Sequence, residues 1–450
     1  MQTQYPISRR AFLRGMATVA GGSVLLAACA VPAAPVATEG ATASSAPSAG
    51  KEEITLEAWT DLTGDPEMWA QVWAELKEAT GVTMNVTTTP FSDVETKVLT
   101  SVAGGQPPNL TMGHPMMTST FGYKKLLVDF NPYIEKEQYD LSGFFPGAVK
   151  ALSYGGKTYG LPWSYNFLLY YYNKHVIEAA GLEDPYEVWK AGNWNLDTFI
   201  KYGDEIAQGE GDSQVFSITE PPHTARVQLS FLRGFGGEIW SEDLKQVVIN
   251  SPESLQGWDF LADHIRKDWS PAAAGRDQNY QTTMTPLFNN GRIALYLNIR
   301  SFSSTFDLNL IDPGMVPYPV WPVGKSITRS VGEGMVALEG TEHVDAIWEC
   351  NKFWSTRGHQ ILLENLGSNP SGPAGLDSDV WVKALQPWEK NDVYKFAAET
   401  GIPDNLPPGF NEQDKICQAF YDEIALGKRS AQEAMTDAQM KMQEVLDEYA

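Results

Sequence analysis

Cysteine is scarce in this 450-residue chain, which has only Cys29, Cys350 and Cys417. That excludes a disulfide framework. Histidine is scarce too, at six, and neither a CxxC nor an HExxH spacing occurs. No metal site and no cofactor are expected. Cys350 falls among Ala346, Ile347, Phe353 and Trp354 at helical spacing, which favours a buried thiol over a bridge to Cys417. Basic residues are short: 33 Lys and Arg stand against 56 Asp and Glu, a formal charge of −23. Nucleic acids and anionic lipid headgroups call for basic patches, so neither is expected as a partner, whereas a neutral or cationic ligand is permitted. After Cys29 no apolar run reaches the ~20 residues of a membrane-spanning helix.

What the chain has begins at its N-terminus. Ser8-Arg9-Arg10-Ala11-Phe12-Leu13 reads as a twin-arginine export signal. A short apolar run over residues 17–28 leads to Leu26-Ala27-Ala28-Cys29, a lipoprotein cleavage box. The order predicts export, loss of residues 1–28, and a lipid on Cys29 that anchors the protein to the outer face of the cytoplasmic membrane. Losing Arg9, Arg10 and Arg14 takes the charge from −23 to −26. Residues 29–51 are nearly all Ala, Pro, Ser, Thr, Val and Gly, and they read as a disordered, semi-extended tether.

The remainder, from Glu52, exceeds the ~250–300 residues at which a single core stops growing, so two domains are expected. Ile54, Leu56 and Ala58 alternate as a strand, and Asp65-Pro66 caps a helix carried by Trp69, Val72, Trp73 and Leu76. Gly81 stops it, and Val82, Met84 and Val86 form a second strand. Ser92-x-x-Glu95 reads as a capping box, and residues 110–112 as a third strand. Later segments predict a buried strand over 167–174, helices over 231–240, 254–267 and 344–354, strands over 293–297 and 331–338, and a last helix opened by the box Ser430-x-x-Glu433. Alternation of this kind implies an α/β fold with mostly parallel sheets, whose ligand crevice lies at the carboxyl ends of the strands. That rule picks out Trp59-Thr60-Asp61 and Gly113-His114-Pro115.

Three later segments carry a resemblance. They are Gly156-Lys157-Thr158-Tyr159-Gly160-Leu161-Pro162-Trp163 with Tyr170-Tyr171-Tyr172-Asn173-Lys174, then Phe288-Asn289-Asn290-Gly291-Arg292-Ile293-Ala294-Leu295, then Gly332-Glu333-Gly334-Met335-Val336-Ala337-Leu338. In this order the chain resembles the family 1 extracellular solute-binding proteins of ABC importers, the sugar-binding group that includes maltose-binding protein. The resemblance implies a two-lobed, type II periplasmic-binding-protein-like fold joined by crossover strands. The crossovers would lie at 161–169, 295–301 and 339–344. Lobe one would be 52–163 plus 300–340, and lobe two 164–299 plus 341–450. It also implies a monomer that captures a small solute, most simply a mono- or oligosaccharide, and delivers it to the transmembrane subunits of a permease. No Walker A motif occurs, so ATP hydrolysis would belong to other subunits.

Sugars need aromatic platforms and planar polar groups, and the 14 Trp and 18 Tyr are enough for core and cleft together. Trp59, Asp61 and His114 follow strands one and three. Trp163, Tyr165 and Asn166 lie on the first crossover, and Asn298 and Arg300 on the second. Glu333 sits between glycines that would let a ligand approach the backbone. Asn369 lies on a polar loop, while Trp240 and Trp321 read as packing. No catalytic residue is assigned. The alternative readings are a secreted glycoside hydrolase, which needs two carboxylates across a cleft and has 56 acids to draw on, and a binding protein for a peptide or polyamine, which the acidic chain permits.

Overall fold

The alternation of Leu56 and Ala58 with polar neighbours produces strand β1 (Ile54–Thr60), which pairs in parallel with β2 (Val82–Thr88) and β3 (Leu110–Gly113). The computed structural model describes residues 53–61, 66–219, 224–271, 280–365 and 367–449. The export signal, Cys29, the tether and the Asp65 cap lie outside them. A two-stranded hairpin, β4 (Ser153–Tyr154) and β5 (Lys157–Thr158), precedes two consecutive strands, β6 (Pro162–Phe167) and β7 (Leu169–Asn173). Then come β8 (Phe216–Ile218), β9 (Ile293–Asn298), β10 (Pro313–Val316), β11 (Thr328–Ala337) and β12 (Gly401–Pro403).

These strands make two main sheets. The first has the order β12-β11-β3-β1-β2, with β6 also paired to β11. The second has the order β10-β7-β9-β8. It is mixed, because β7 runs antiparallel to both neighbours while β8 and β9 are parallel. All five residues of β7 are buried, as its continuous apolar run requires.

The helix Pro66–Thr80 packs Met68, Trp69, Val72 and Leu76 on the first sheet. Burying Val72 and Leu76 contributes roughly 1.5–3 kcal/mol each. Gly81 ends it at φ +77°, a left-handed stop that suits glycine. The helix Ala431–Asp447 is opened by both halves of the Ser430–Glu433 box. The box at Ser92 does not form. Its helix, Phe91–Ala103, starts after Pro90 without a side-chain cap, Ser92 Oγ bonds Asp93, and Glu95 is buried against Asn411 instead. The helix expected over 231–240 lies earlier, at Ala225–Gly234, and the chain turns at Gly236.

The chain changes sheet at Leu168, between β6 and β7, inside the expected first crossover. The other two expectations shift. β10 still pairs with β7, so the second change falls at residues 317–327 and not at 295–301. Residues 300–316 therefore go with the second sheet, and Ser164–Phe167 with the first. The helix Val344–Phe353 packs with Trp69 and Leu56 on the first sheet, so 339–344 is not a crossing. The third change follows β12: residues 404–409 lead to the helix Phe410–Ala425, which packs in the second sheet's core.

Candidate ligand-binding site

Strands β1 and β3 end at Thr60 and Gly113, which places Asp61 and His114 at one rim. Gly334 of β11 pairs with Gly113, so Glu333 stands one residue beyond the end of β3. On its other edge Glu333 is opposite Ser164 of β6. Ser164 Oγ donates to Glu333 Oε2 at 3.2 Å, and Asn166 Nδ2 donates to the same oxygen at 3.2 Å. The glycines beside Glu333 serve packing rather than ligand approach. A Cβ on Gly332 would meet the Ala148 backbone at 2.8 Å, and one on Gly334 the Leu161 carbonyl at 2.7 Å.

The second sheet brings Arg226, on the first turn of Ala225–Gly234. Its Nη1 lies 3.2 Å from His114 Nε2. Its guanidinium is 5.6 Å from the centroid of the Phe91 ring, which in turn meets His114 edge-on at 5.0 Å. Arg226 and His114 thus join elements of the two sheets.

Burial sets the charges. It holds His114 well below the usual imidazole range, and Arg226 and Arg329 add to this, so the ring is neutral. Burial also brings Arg226 down to about 10, helped by Arg329. Glu333 is raised by burial, against the Ser164 hydrogen bond and the two arginines. Asp61 is raised by burial as well. Arg329 is matched by Asp404 through two hydrogen bonds, one of them Nε to Oδ1 at 2.9 Å. Asp414 accepts from the Ala225 N–H at 2.6 Å.

Of the expected site residues, Asp61, His114, Asn166 and Glu333 belong to this cluster. Trp59 stands at its rim, half-buried, with Lys97 Nζ 4.5 Å over its ring. The others point elsewhere. Trp163 packs in the core between Trp69 and Trp354, at ring distances of 6.5 and 6.2 Å. The Tyr165 hydroxyl bonds Ser330 Oγ at 2.6 Å, and its ring packs on Phe145. The two faces of β6 explain this: Ser164 and Asn166 reach Glu333, while Tyr165 turns to the helix Pro146–Ala151. Asn298 is taken up by Tyr296 and the Ile299 N–H. Arg300 is locked to Glu389 by bonds of 2.7 and 2.9 Å and to the Ala384 carbonyl. Asn369 is fully buried, and neither amide atom has a partner among the described residues. Sequence reasoning missed Ser164 and Arg226. The Ser164 alternation on β6 was there to read, but the start of Arg226's helix carried no usable signal.

Cys350 and Cys417 are both free and buried. Among the described residues no group of three His, Cys, Asp or Glu is arranged to hold a metal, and no helix is long and apolar enough to cross a membrane. A separate groove of about 460 Å³ lies between Lys150, Ile402 and Asn405 on one side and Arg233, Glu238 and Trp240 on the other.

A family model described as bacterial extracellular solute-binding protein matches residues 59–361. The chain belongs to that family. Family membership places its work outside the cytoplasm. The chain is 26% identical over 285 residues to a maltotriose-binding protein of Pyrococcus abyssi, covering 62% of this chain and 58% of that protein's length. It is 22% identical to a putative binding protein of Brucella abortus, covering 90% of this chain and 95% of the relative. Among solved structures, an ABC substrate-binding protein of Listeria monocytogenes in complex with cycloalternan superposes with a TM-score of 0.77 at 19% identity, covering 88% of this chain and 100% of that one. A solute-binding protein of Thermotoga lettingae bound to α-D-tagatose gives 0.73 at 18%, covering 87% and 100%. These likenesses establish the fold as that of the two-lobed, type II periplasmic binding proteins.

Proposed function

We propose that this solute-binding protein is the capture component of an ABC importer and takes a mono- or oligosaccharide between its two sheets. The polar cluster of Asp61, His114, Ser164, Asn166 and Glu333, met by Arg226 from the second sheet, carries the reading. It offers planar acceptors and donors for hydroxyls, with Trp59 at the rim as an apolar platform. The maltotriose-, cycloalternan- and tagatose-binding proteins it resembles support a sugar over a peptide or polyamine. The family's binding role supports capture without turnover.

A ligand touching both walls favours the closed arrangement by its differential affinity, and the closed form then docks on the permease. Export by the Arg9-Arg10 signal and a lipid on Cys29 would hold the protein beside that permease. Calorimetry over a sugar panel, with X-ray scattering to follow compaction, tests the reading. Micromolar binding with a smaller radius of gyration is expected. Binding without compaction, or release of product from the sugar, contradicts it. Loss of palmitate labelling in Cys29→Ser, and loss of export when Arg9 and Arg10 become Lys, test the anchor and the signal.

A further inference from the structure

His114 has two donor neighbours and one acceptor nitrogen. Its Nδ1 accepts from the Met116 backbone N–H at 3.2 Å, capping the helix Pro115–Tyr123. Its Nε2 stands 3.2 Å from Arg226 Nη1. An amide N–H and a guanidinium can only donate, and a neutral imidazole accepts at one nitrogen alone. One of the two neighbours must therefore face a ring N–H: with the helix cap kept on Nδ1, it is the Arg226 N–H that meets Nε2–H as a second donor. Arg226 Nε adds a third, buried and without a partner among the described residues.

The acids around Arg226 are otherwise engaged. Glu333 accepts from Ser164 and Asn166, Asp404 is forked to Arg329, and Asp414 accepts from the Ala225 N–H. The site therefore carries excess donors at the His114–Arg226 end and acceptors at the Glu333–Asp61 end.

We propose that the solute is a sugar acid, its carboxylate bridging Arg226 and His114 and its hydroxyls donating to Glu333 and Asp61. This rests on the sugar-binding reading above. A carboxylate is acceptor-only and matches the arginine fork with two oxygens, whereas a hydroxyl brings a further hydrogen to a place already crowded with them.

The test is calorimetry of the full chain with D-glucuronate, D-galacturonate and digalacturonate, set against D-glucose, D-galactose and maltotriose. At least one acid should bind about tenfold or more tighter than its neutral counterpart. Arg226→Gln should weaken that acid by about tenfold or more, and Arg226→Lys, which keeps charge but loses the fork, by less. A salt titration needs no variant: from about 50 to about 500 mM NaCl the acid should weaken several-fold and the neutral sugars should not. Neutral sugars that bind as tightly as the acids, or acid binding indifferent to salt, overturn the sugar-acid proposal and leave sugar binding standing. Binding of nothing in either set overturns both.

Discussion

Arg300 and Arg226 both follow the second sheet's strand ends, yet the molecule uses them in opposite ways. Arg300 is 3% exposed, forked to Glu389, bonded to the Ala384 carbonyl and stacked 4.6 Å over Trp381. Glu389 also accepts from the Tyr394 hydroxyl at 2.5 Å. Glu389 and the Ala384 carbonyl take up Nε and Nη2, Nη1 has no partner among the described residues, and the pair joins residues 384–394 to the end of β9. Arg226 is only partly buried and faces a histidine. An arginine matched by a buried carboxylate is structure, and one facing another donor is, on the proposal above, where an anionic group would sit. The contrast also limits what net charge says. The chain carries −23 overall, but the face that meets a solute is set by a few local groups.

The largest test of this contrast is Arg300→Met. It leaves Glu389 buried without its cation and should cost about 3–5 kcal/mol in urea unfolding. Adding Glu389→Met should recover much of that loss, because the uncompensated charge goes with it. A single variant as stable as the parent would mean that the pair is not the anchor described.

Glu95 tests a carboxylate that has no arginine at all. Burial pushes it up to about 7, against hydrogen bonds from Asn411 and Thr120 and the charges of Lys415 and Lys124. The folded state thus holds a proton that the unfolded chain releases near pH 4.5. Its contribution is complete below about pH 4.5 and is lost as pH rises through 7, by up to about 3 kcal/mol. Asp414, pushed up to about 6 by burial, slopes the same way. Glu95→Gln should flatten the fall in melting temperature between pH 5 and 8 without abolishing it. An unchanged slope would remove Glu95 from the account.

Arg226→Gln should alter stability by no more than about 1 kcal/mol, since among the described residues no carboxylate is hydrogen-bonded to it and Glu333 and Asp414 keep their own donors. A loss as large as that of Arg300→Met would erase the distinction between the two arginines. The smallest effect belongs to the rim: Lys97→Met removes a cation lying over Trp59 and should cost about 0.5–1 kcal/mol in the same unfolding assay.

Much of this architecture was legible in the sequence, and the reasons are physical. The alternation at Leu56 and Ala58, the helical spacing of Trp69, Val72 and Leu76, and the Gly81 stop each rest on local patterns that the fold keeps. Strand-end logic placed Asp61 and His114 at one rim because β1 and β3 are parallel. β6 was harder, because all six of its residues are buried. Burial on both faces hides which one reaches the cleft, so Trp163 and Tyr165 were chosen with Asn166 and Ser164 was passed over. The crossovers were misplaced because β10 returns to the second sheet before the chain leaves it, a pairing that no local pattern announces. Arg226 was invisible because its helix begins at Ala225, ahead of the apolar run at Phe231-Leu232 that marked it. The glycines around Glu333 were noticed for the wrong reason, since they make room for Ala148 and Leu161.

The proposed site holds solute where His114, Glu333 and Arg226 meet. A crystal structure of the chain grown with the tightest-binding sugar of the panel tests it most directly. That sugar is expected in contact with Glu333 on one side and Arg226 on the other, with Arg300 still forked to Glu389. A sugar found instead in the groove between Lys150 and Arg233, with the His114–Arg226 contact untouched, would contradict it.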